Sequence, residues 1–192
     1  MPTLECYIDF KAPAAYLALQ PTLELQQQLN LTLLWHPYQT RQSAIPAPLA
    51  QETPAQSHIR VRAEARQRVH LKYAALRGIG MHFPTQPGNC DLALAAMYVA
   101  TNNPALYCRL AFEAYWVHQQ DLSELTLIEN LLRTSGHDPQ TFNAGDRLAQ
   151  LYAAQTPTEE RGVVDAPAYI FADQVFIGRE HLPWLRELLS SG

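Results

Sequence analysis

Three cysteines, Cys6, Cys90 and Cys108, and seven histidines are the most reactive side chains in this sequence. No two cysteines stand at the Cys-x-x-Cys spacing of disulfide exchange or zinc binding, and no histidine pairs with a cysteine or carboxylate at a metal-ligand spacing. Dithiol chemistry and a structural metal are therefore not expected, and each cysteine is read as a small core residue. A different site is local. A strand-like run ends at Lys11-Ala12-Pro13, where a helix begins. The first turn of a helix leaves backbone N–H groups unpaired and carries the positive end of its dipole, so residues 11–16 suit a thiolate or another anion. A cation beside a thiol favours the thiolate, which makes Lys11 a candidate; the preferred reading is a solvated lysine, the usual state at a helix start.

Other polar candidates lie near the predicted strand ends. Tyr16 and Tyr38 are placed to position or protonate a substrate oxygen, although their periodic positions read first as packing. Arg41, just after the second strand, is a candidate for a substrate carboxylate. Arg60, Arg62, Arg66, Arg68 and Lys72 form a basic stretch in which Arg62 with Arg66 and Arg68 with Lys72 stack like charges at i,i+4. A solvated face is the reading preferred over an anion site.

These residues need elements to position them. Leu4, Cys6, Ile8 and Phe10 alternate with Glu5, Tyr7 and Asp9 as a strand, and residues 14–29 keep a helical period that Pro21 should kink or restart. Leu31, Leu33 and Trp35 mark a second strand. Residues 41–57 show no clean period and read as a loop, followed by a helix over 58–77 with Val69, Tyr73 and Leu76 on one face. Further helices are signalled by Asn103-Pro104 and Asp138-Pro139 as cap and first position, by Ser123 as a cap, and by Thr156-Pro157-Thr158-Glu159 as a capping box. Residues 168–172 and 175–177 flank Asp173-Gln174 as a hairpin, and a final helix covers 181–189. Trp35, Trp116 and Trp184 are read as core. The order is β-α-β, a helical block, then β-β-α, which predicts an α/β fold whose sheet is completed by both chain ends. The expected division is a first unit of residues 1–40 with 155–192, and an inserted helical subdomain over 41–154.

A chain of 192 residues with a net charge of -4 is long enough for a core and carries no excess of cations for phosphate binding, so no nucleic-acid partner is expected. The longest apolar run, residues 92–100, is too short to span a membrane, and the first residues lack a signal-peptide pattern; a cytoplasmic location follows as an expectation.

Tyr7-Ile8-Asp9-Phe10-Lys11-Ala12-Pro13-Ala14-Ala15-Tyr16-Leu17-Ala18 resembles a family pattern of a strand followed by Ser-Pro-aromatic-Ser/Ala-aromatic-Leu. Gly162-Val163-Val164-Asp165-Ala166-Pro167-Ala168 resembles that family's cis-proline loop, and Gly178-Arg179-Glu180-His181-Leu182 its Gly-x-Asp-Arg-Leu. With Ala114-Tyr115-Trp116, these cover nearly the whole chain and resemble the 2-hydroxychromene-2-carboxylate isomerases, kappa-class glutathione transferases and DsbA-like proteins. The resemblance implies a thioredoxin-like fold with a large helical insertion, and glutathione as cofactor. It further implies that the Ala166 backbone, before Pro167, pairs with the cysteinyl part of glutathione, that Glu180 meets the γ-glutamyl ammonium, and that Lys11, the Ala12 backbone, Pro167 and Arg179 also bind the cofactor.

The sequence departs from the pattern where it matters most. Ala12 replaces the serine that hydrogen-bonds the glutathione sulfur, and Ala15 replaces the second cysteine of dithiol enzymes, so a dithiol-disulfide oxidoreductase is excluded at this site. By resemblance, the expected activity is a glutathione-dependent isomerase acting on an aromatic or conjugated keto acid, a small-molecule substrate. A kappa-class-like transferase, and a thioredoxin-fold binding protein without catalysis, are the alternatives. A homodimer stays open, since relatives often dimerise.

Overall fold

The computed structural model describes residues 1–191. The apolar alternation at the N-terminus forms β1 (Thr3–Ile8), which pairs in parallel with β2 (Thr32–Pro37) through the crossover helix α1 (Pro13–Leu29). β1 also pairs antiparallel with β3 (Ala168–Phe171), and β3 with β4 (Gln174–Ile177), giving the sheet order β2-β1-β3-β4. Both ends of the chain thus build one sheet, as the element order requires. Ala172 and Asp173 turn the hairpin with φ of 48° and 60°, the pair of positive angles a two-residue turn needs. The turn sits one residue earlier than expected because Gln174 already pairs with Phe171. The closing helix α7 (Leu182–Ser191) buries Leu182, Leu185 and Leu189 and packs against α1.

Pro21 does not break α1, which is a single helix. The missing N–H costs one backbone bond, and Leu17, Leu19 and Leu25, buried on both sides of the proline, anchor both halves to the core. Between β2 and β3 come α2 (Pro54–Leu76), α3 (Asp91–Ala96), α4 (Pro104–Trp116), α5 (Leu125–Thr134) and α6 (Ala144–Glu160). α2 begins at Pro54 rather than at residue 58, because Thr53 and Gln56 cap it reciprocally. The expected capping box at Thr156–Glu159 lies inside α6, whose N-terminus is capped instead by Asn143, accepting from Asp146 N–H. Ser123 is spent on Asp121, and Glu124 occupies the cap position of α5. The expected domain boundary at residues 154 and 155 falls within α6, so a continuous helix joins the insertion to the sheet. Three apolar expectations also change: Trp184 is half exposed, Leu76 is exposed, and Val69 is exposed at the edge of a cleft, since α2 fully buries only Ala74.

Two clusters join the layers. Phe10, Tyr16, Phe83, Phe112 and Trp116 pack ring against ring, some stacked and some edge-on, at the junction of the insertion with α1. On the opposite side, Arg161 donates two hydrogen bonds to the Glu5 carboxylate at 2.8 and 2.9 Å, Tyr7 donates to the same group at 2.6 Å, and His36 stacks on Tyr7. The hydrogen bond from Arg161 is the main cause that lowers Glu5 from its usual 4.5 to about 2. A depressed carboxyl adds stability above its unfolded value and loses it as pH falls through the folded one. Thermal melts should therefore show a stability loss between pH 4.5 and about 2 that shrinks in Glu5→Gln. An unchanged acid limb in that variant would assign the loss to other carboxyls.

Candidate functional site

Ala12 is the N-cap of α1 and offers no side-chain cap. Its N–H donates to Asp9 O, and its carbonyl accepts from Ala15 and Tyr16 N–H at 3.1 and 3.2 Å. Pro13 has no N–H, which leaves Ala14 as the first-turn donor without a partner among the described residues. This helix start opens onto a cleft of about 940 Å3. One wall is α2, which presents Ile59, Ala63, Arg66, Gln67 and His70 at the three- and four-residue spacing of a single helix face. The loop after β2, with Arg41, Ile45 and Pro46, and the segment carrying Phe83, which stacks on His70, line the cleft as well. Tyr115 and Trp116 from α4 also line the cleft, and Asp165, Ala166, Gly178, Arg179 and Glu180 close it from the C-terminal part of the chain.

The residues named from sequence separate into two groups. Lys11, Ala12, Ala166, Arg179, Glu180 and Arg41 line one cleft; Tyr16, Tyr38 and Pro167 do not. Tyr16 is buried, donates to the Gly80 carbonyl at 2.9 Å and stacks on Trp116. Tyr38 is buried with its N–H bonded to Ile8 O. Both act as packing residues in this structure. Pro167 lies behind the cleft, where its carbonyl accepts from Gly178 N–H at 2.8 Å and ties the two C-terminal loops together.

Lys11 differs from its expected solvated state. Its side chain is only 14% exposed, and Nζ stands 3.7 Å from the carboxylate of Asp9, which has no exposed surface. Asp9 also accepts from Thr40 N–H at 2.7 Å, Thr40 Oγ1 at 2.8 Å and Lys11 N–H at 3.2 Å. Burial pushes its carboxyl up, while Lys11 and Thr40 pull it down. Sequence alternation had Asp9 facing outward with Glu5 and Tyr7. β1 ends at Ile8, however, and the chain turns Asp9 inward towards the donors that follow β2. The available signal was an acidic residue set between Ile8 and Phe10 directly before a helix start.

The Ala166-Pro167 peptide bond is cis. Ala166 N–H donates to the Asp165 carboxylate at 2.8 Å, so an incoming extended ligand meets the Ala166 carbonyl, or displaces Asp165 to reach the N–H. Glu180 folds back over Gly178, whose φ is 99°; a Cβ there would collide with the Glu180 carboxylate, so glycine lets the acidic group sit at the cleft edge. Arg41 stands at an exposed rim shared with a second, polar cavity of about 590 Å3 that Lys11, Asn89, Asp91 and Glu159 also line. All three cysteines are buried, and burial pushes each thiol up, so the chain supplies no thiolate of its own to the cleft.

A four-stranded mixed sheet with a helical insertion, a cis-proline loop before β3 and a helix start facing that loop define the thioredoxin class of fold. The sequence matches the model of the DSBA-like thioredoxin domain over residues 3–190, and the chain belongs to that family. Its fold is similar to that of a 2-hydroxychromene-2-carboxylate isomerase, with a TM-score of 0.77 and 20% identity over 98% of this chain and 95% of that one. It is also similar to the cytosolic disulfide reductase DsbM from Pseudomonas aeruginosa solved with GSH, with a TM-score of 0.66 and 16% identity over 98% of each chain. A putative protein disulfide isomerase from Nitrosomonas europaea gives a TM-score of 0.68 at 14% identity over 99% of this chain and 98% of that one. No curated protein matches the sequence. Among the described residues, no helix is long and apolar enough to cross a membrane.

Proposed function

We propose that the chain is a glutathione-dependent isomerase that acts on an aromatic or conjugated keto acid. The observation that carries this reading is the convergence of the α1 start, the Ala166 loop and Glu180 on one cleft, whose other walls include Ile45, Pro46, Ile59 and Phe83. The polar end suits a short thiol peptide, and the apolar walls suit a conjugated partner. Glutathione would place its sulfur at the first turn of α1, where the Ala14 N–H and the helix dipole favour the thiolate. Bound there, glutathione would supply a thiol for reversible addition to the conjugated double bond. This chain's own part would be to hold the sulfur at the Ala14 N–H, the peptide at the Ala166 carbonyl and Glu180, and the conjugated acid against Ile45, Pro46 and Phe83. A cytoplasmic location fits a thiol cofactor and a chain whose three cysteines are free.

A specific observation favours a second reading, a binding protein with no catalysis. Ala12 supplies no hydroxyl for the sulfur, and the charge of Lys11 is partly neutralised by Asp9. A transferase in which the sulfur stays on the product uses the same site.

Calorimetric titration with glutathione tests the site. Glu180→Ala should weaken binding by about tenfold or more, the loss expected when an ammonium forfeits a charge-assisted hydrogen bond. Ala12→Ser should lower the pH at which bound glutathione develops thiolate absorbance and speed the isomerisation. Absence of binding at millimolar glutathione would sink the glutathione reading. Binding without turnover of any conjugated keto acid, even in Ala12→Ser, would favour the binding protein.

A further inference from the structure

The cleft carries a concentration of positive charge to which the glutathione reading assigns no partner group. Arg66 and His70, one helical turn apart on α2, and Arg179, before α7, line the same space. The Arg179 guanidinium carbon lies over the Tyr73 ring, 3.5 Å from its centroid, a cation–π contact that anchors the side chain. Its Nη1 is buried and has no hydrogen-bond partner among the described residues. Neither Arg66 nor Arg179 makes an ion pair with a carboxylate among the described residues, although Arg60 on the same helix binds both Glu52 and Glu64. His70 stacks on Phe83, ring centroids 6.3 Å apart, and both arginines act on its charge. Two arginines that line one cleft without a carboxylate partner leave positive charge there uncompensated, which a bound anion would balance.

We infer that Arg66 and Arg179 form a carboxylate-binding subsite of the cleft. Arg179 supplies a guanidinium fork anchored on Tyr73 of α2, and Arg66, on the same helix, a second cation lining the cleft. A planar carboxylate matches that fork through two parallel N–H···O bonds. Val69 and Phe83, which also line the cleft, give the group bearing the carboxylate an apolar surface to rest on. The basic face of α2, expected to be merely solvated, thus has one arginine turned to a ligand. The inference rests on the cleft being the ligand site but not on glutathione being the ligand. The carboxylate belongs either to the thiol peptide or to the conjugated acid.

Salicylate and glutathione, used as separate probes, distinguish these sources. Each is titrated into the wild type, Arg66→Gln, Arg179→Gln and Arg62→Gln, with calorimetry for affinity and the arginine Nε–H resonances as a local reporter. Arg62 does not line the cleft and serves as the control on the same helix. Thermal melts confirm that each variant is folded. The expected result is that at least one probe shifts the Arg179 Nε–H resonance and binds about tenfold or more weakly to Arg66→Gln and Arg179→Gln but not to Arg62→Gln. Salicylamide, which keeps the ring and lacks the charge, should not reproduce the shift. Dependence for glutathione alone assigns the carboxylate to the thiol peptide. Dependence for salicylate alone assigns it to the second substrate, and holds even if glutathione fails to bind. The inference is overturned if neither probe shifts either arginine, or if both probes bind the two variants as they bind the wild type.

Discussion

Trp116→Ala should lower the stability of the protein by about 4 kcal/mol, at the upper end of single core truncations. The indole is 1% exposed, lies parallel to Tyr16 with centroids 6.0 Å apart, and takes Phe83 and Tyr115 edge-on, each at 5.1 Å. Its N–H donates to the carbonyl of Phe10 at 2.8 Å. Alanine would open a cavity between three aromatic rings and leave that carbonyl buried without a donor, and the two losses add. Trp116→Phe keeps most of the volume and loses the hydrogen bond, so about 1–2 kcal/mol is expected. Urea denaturation measures both, provided the slope is unchanged. The same contact bears on the site, because Phe10 immediately precedes Lys11 and Ala12. An alanine variant as stable as the wild type would mean that the aromatic cluster does not join the insertion to the sheet.

What the sequence revealed was whatever depended on neighbours along the chain. β1, α1 and the β3–β4 hairpin were readable because alternation and helical period are local, and Asn103-Pro104 was readable as a cap because the bonded Leu106 N–H is three residues away. Thr156–Glu159 has the same local signature and failed. α6 was already running from Asn143, and a proline late in a helix forfeits only one bond. Lys11, Ala12, Ala166, Arg179 and Glu180 were found through short strings that resemble a family, and the fold brings them to one cleft. Tyr16 sat in the first of these strings, but a long-range partner, the Gly80 carbonyl, sets its direction, and Tyr38, named from its place after the second strand, is buried. Arg66 and His70 could not be picked from their basic neighbours, because the face of α2 that meets the cleft depends on how a helix with one fully buried residue docks. Asp9 was hidden for the same reason, since its main partner, Thr40, is supplied by the segment that follows β2.

Asp9→Ala should cost about 3 kcal/mol at neutral pH and lower the melting temperature by roughly 6–12 °C for a chain of this size. The substitution leaves Thr40 N–H, Thr40 Oγ1 and Lys11 N–H without their acceptor, and Lys11 Nζ without its counter-ion. Lys11 retains some solvent contact through the cleft, which holds the loss to the lower end of the range for a broken buried pair. Asp9→Asn keeps one acceptor and should cost about half as much. The pH dependence separates charge from hydrogen bonding. Burial pushes the Asp9 carboxyl above its usual 3.8, and a raised carboxyl contributes most below its unfolded value and loses that contribution as pH rises through the folded one. The stability gap between wild type and Asp9→Asn should therefore narrow with rising pH, while the Glu5 contribution, common to both proteins, cancels. A gap that widens instead would show that Lys11 and Thr40 hold the carboxylate ionised more strongly than burial opposes it. In that case Lys11 is an anchored structural cation and contributes little to a thiolate in the cleft, and the Ala14 N–H with the α1 dipole must stabilise the sulfur alone.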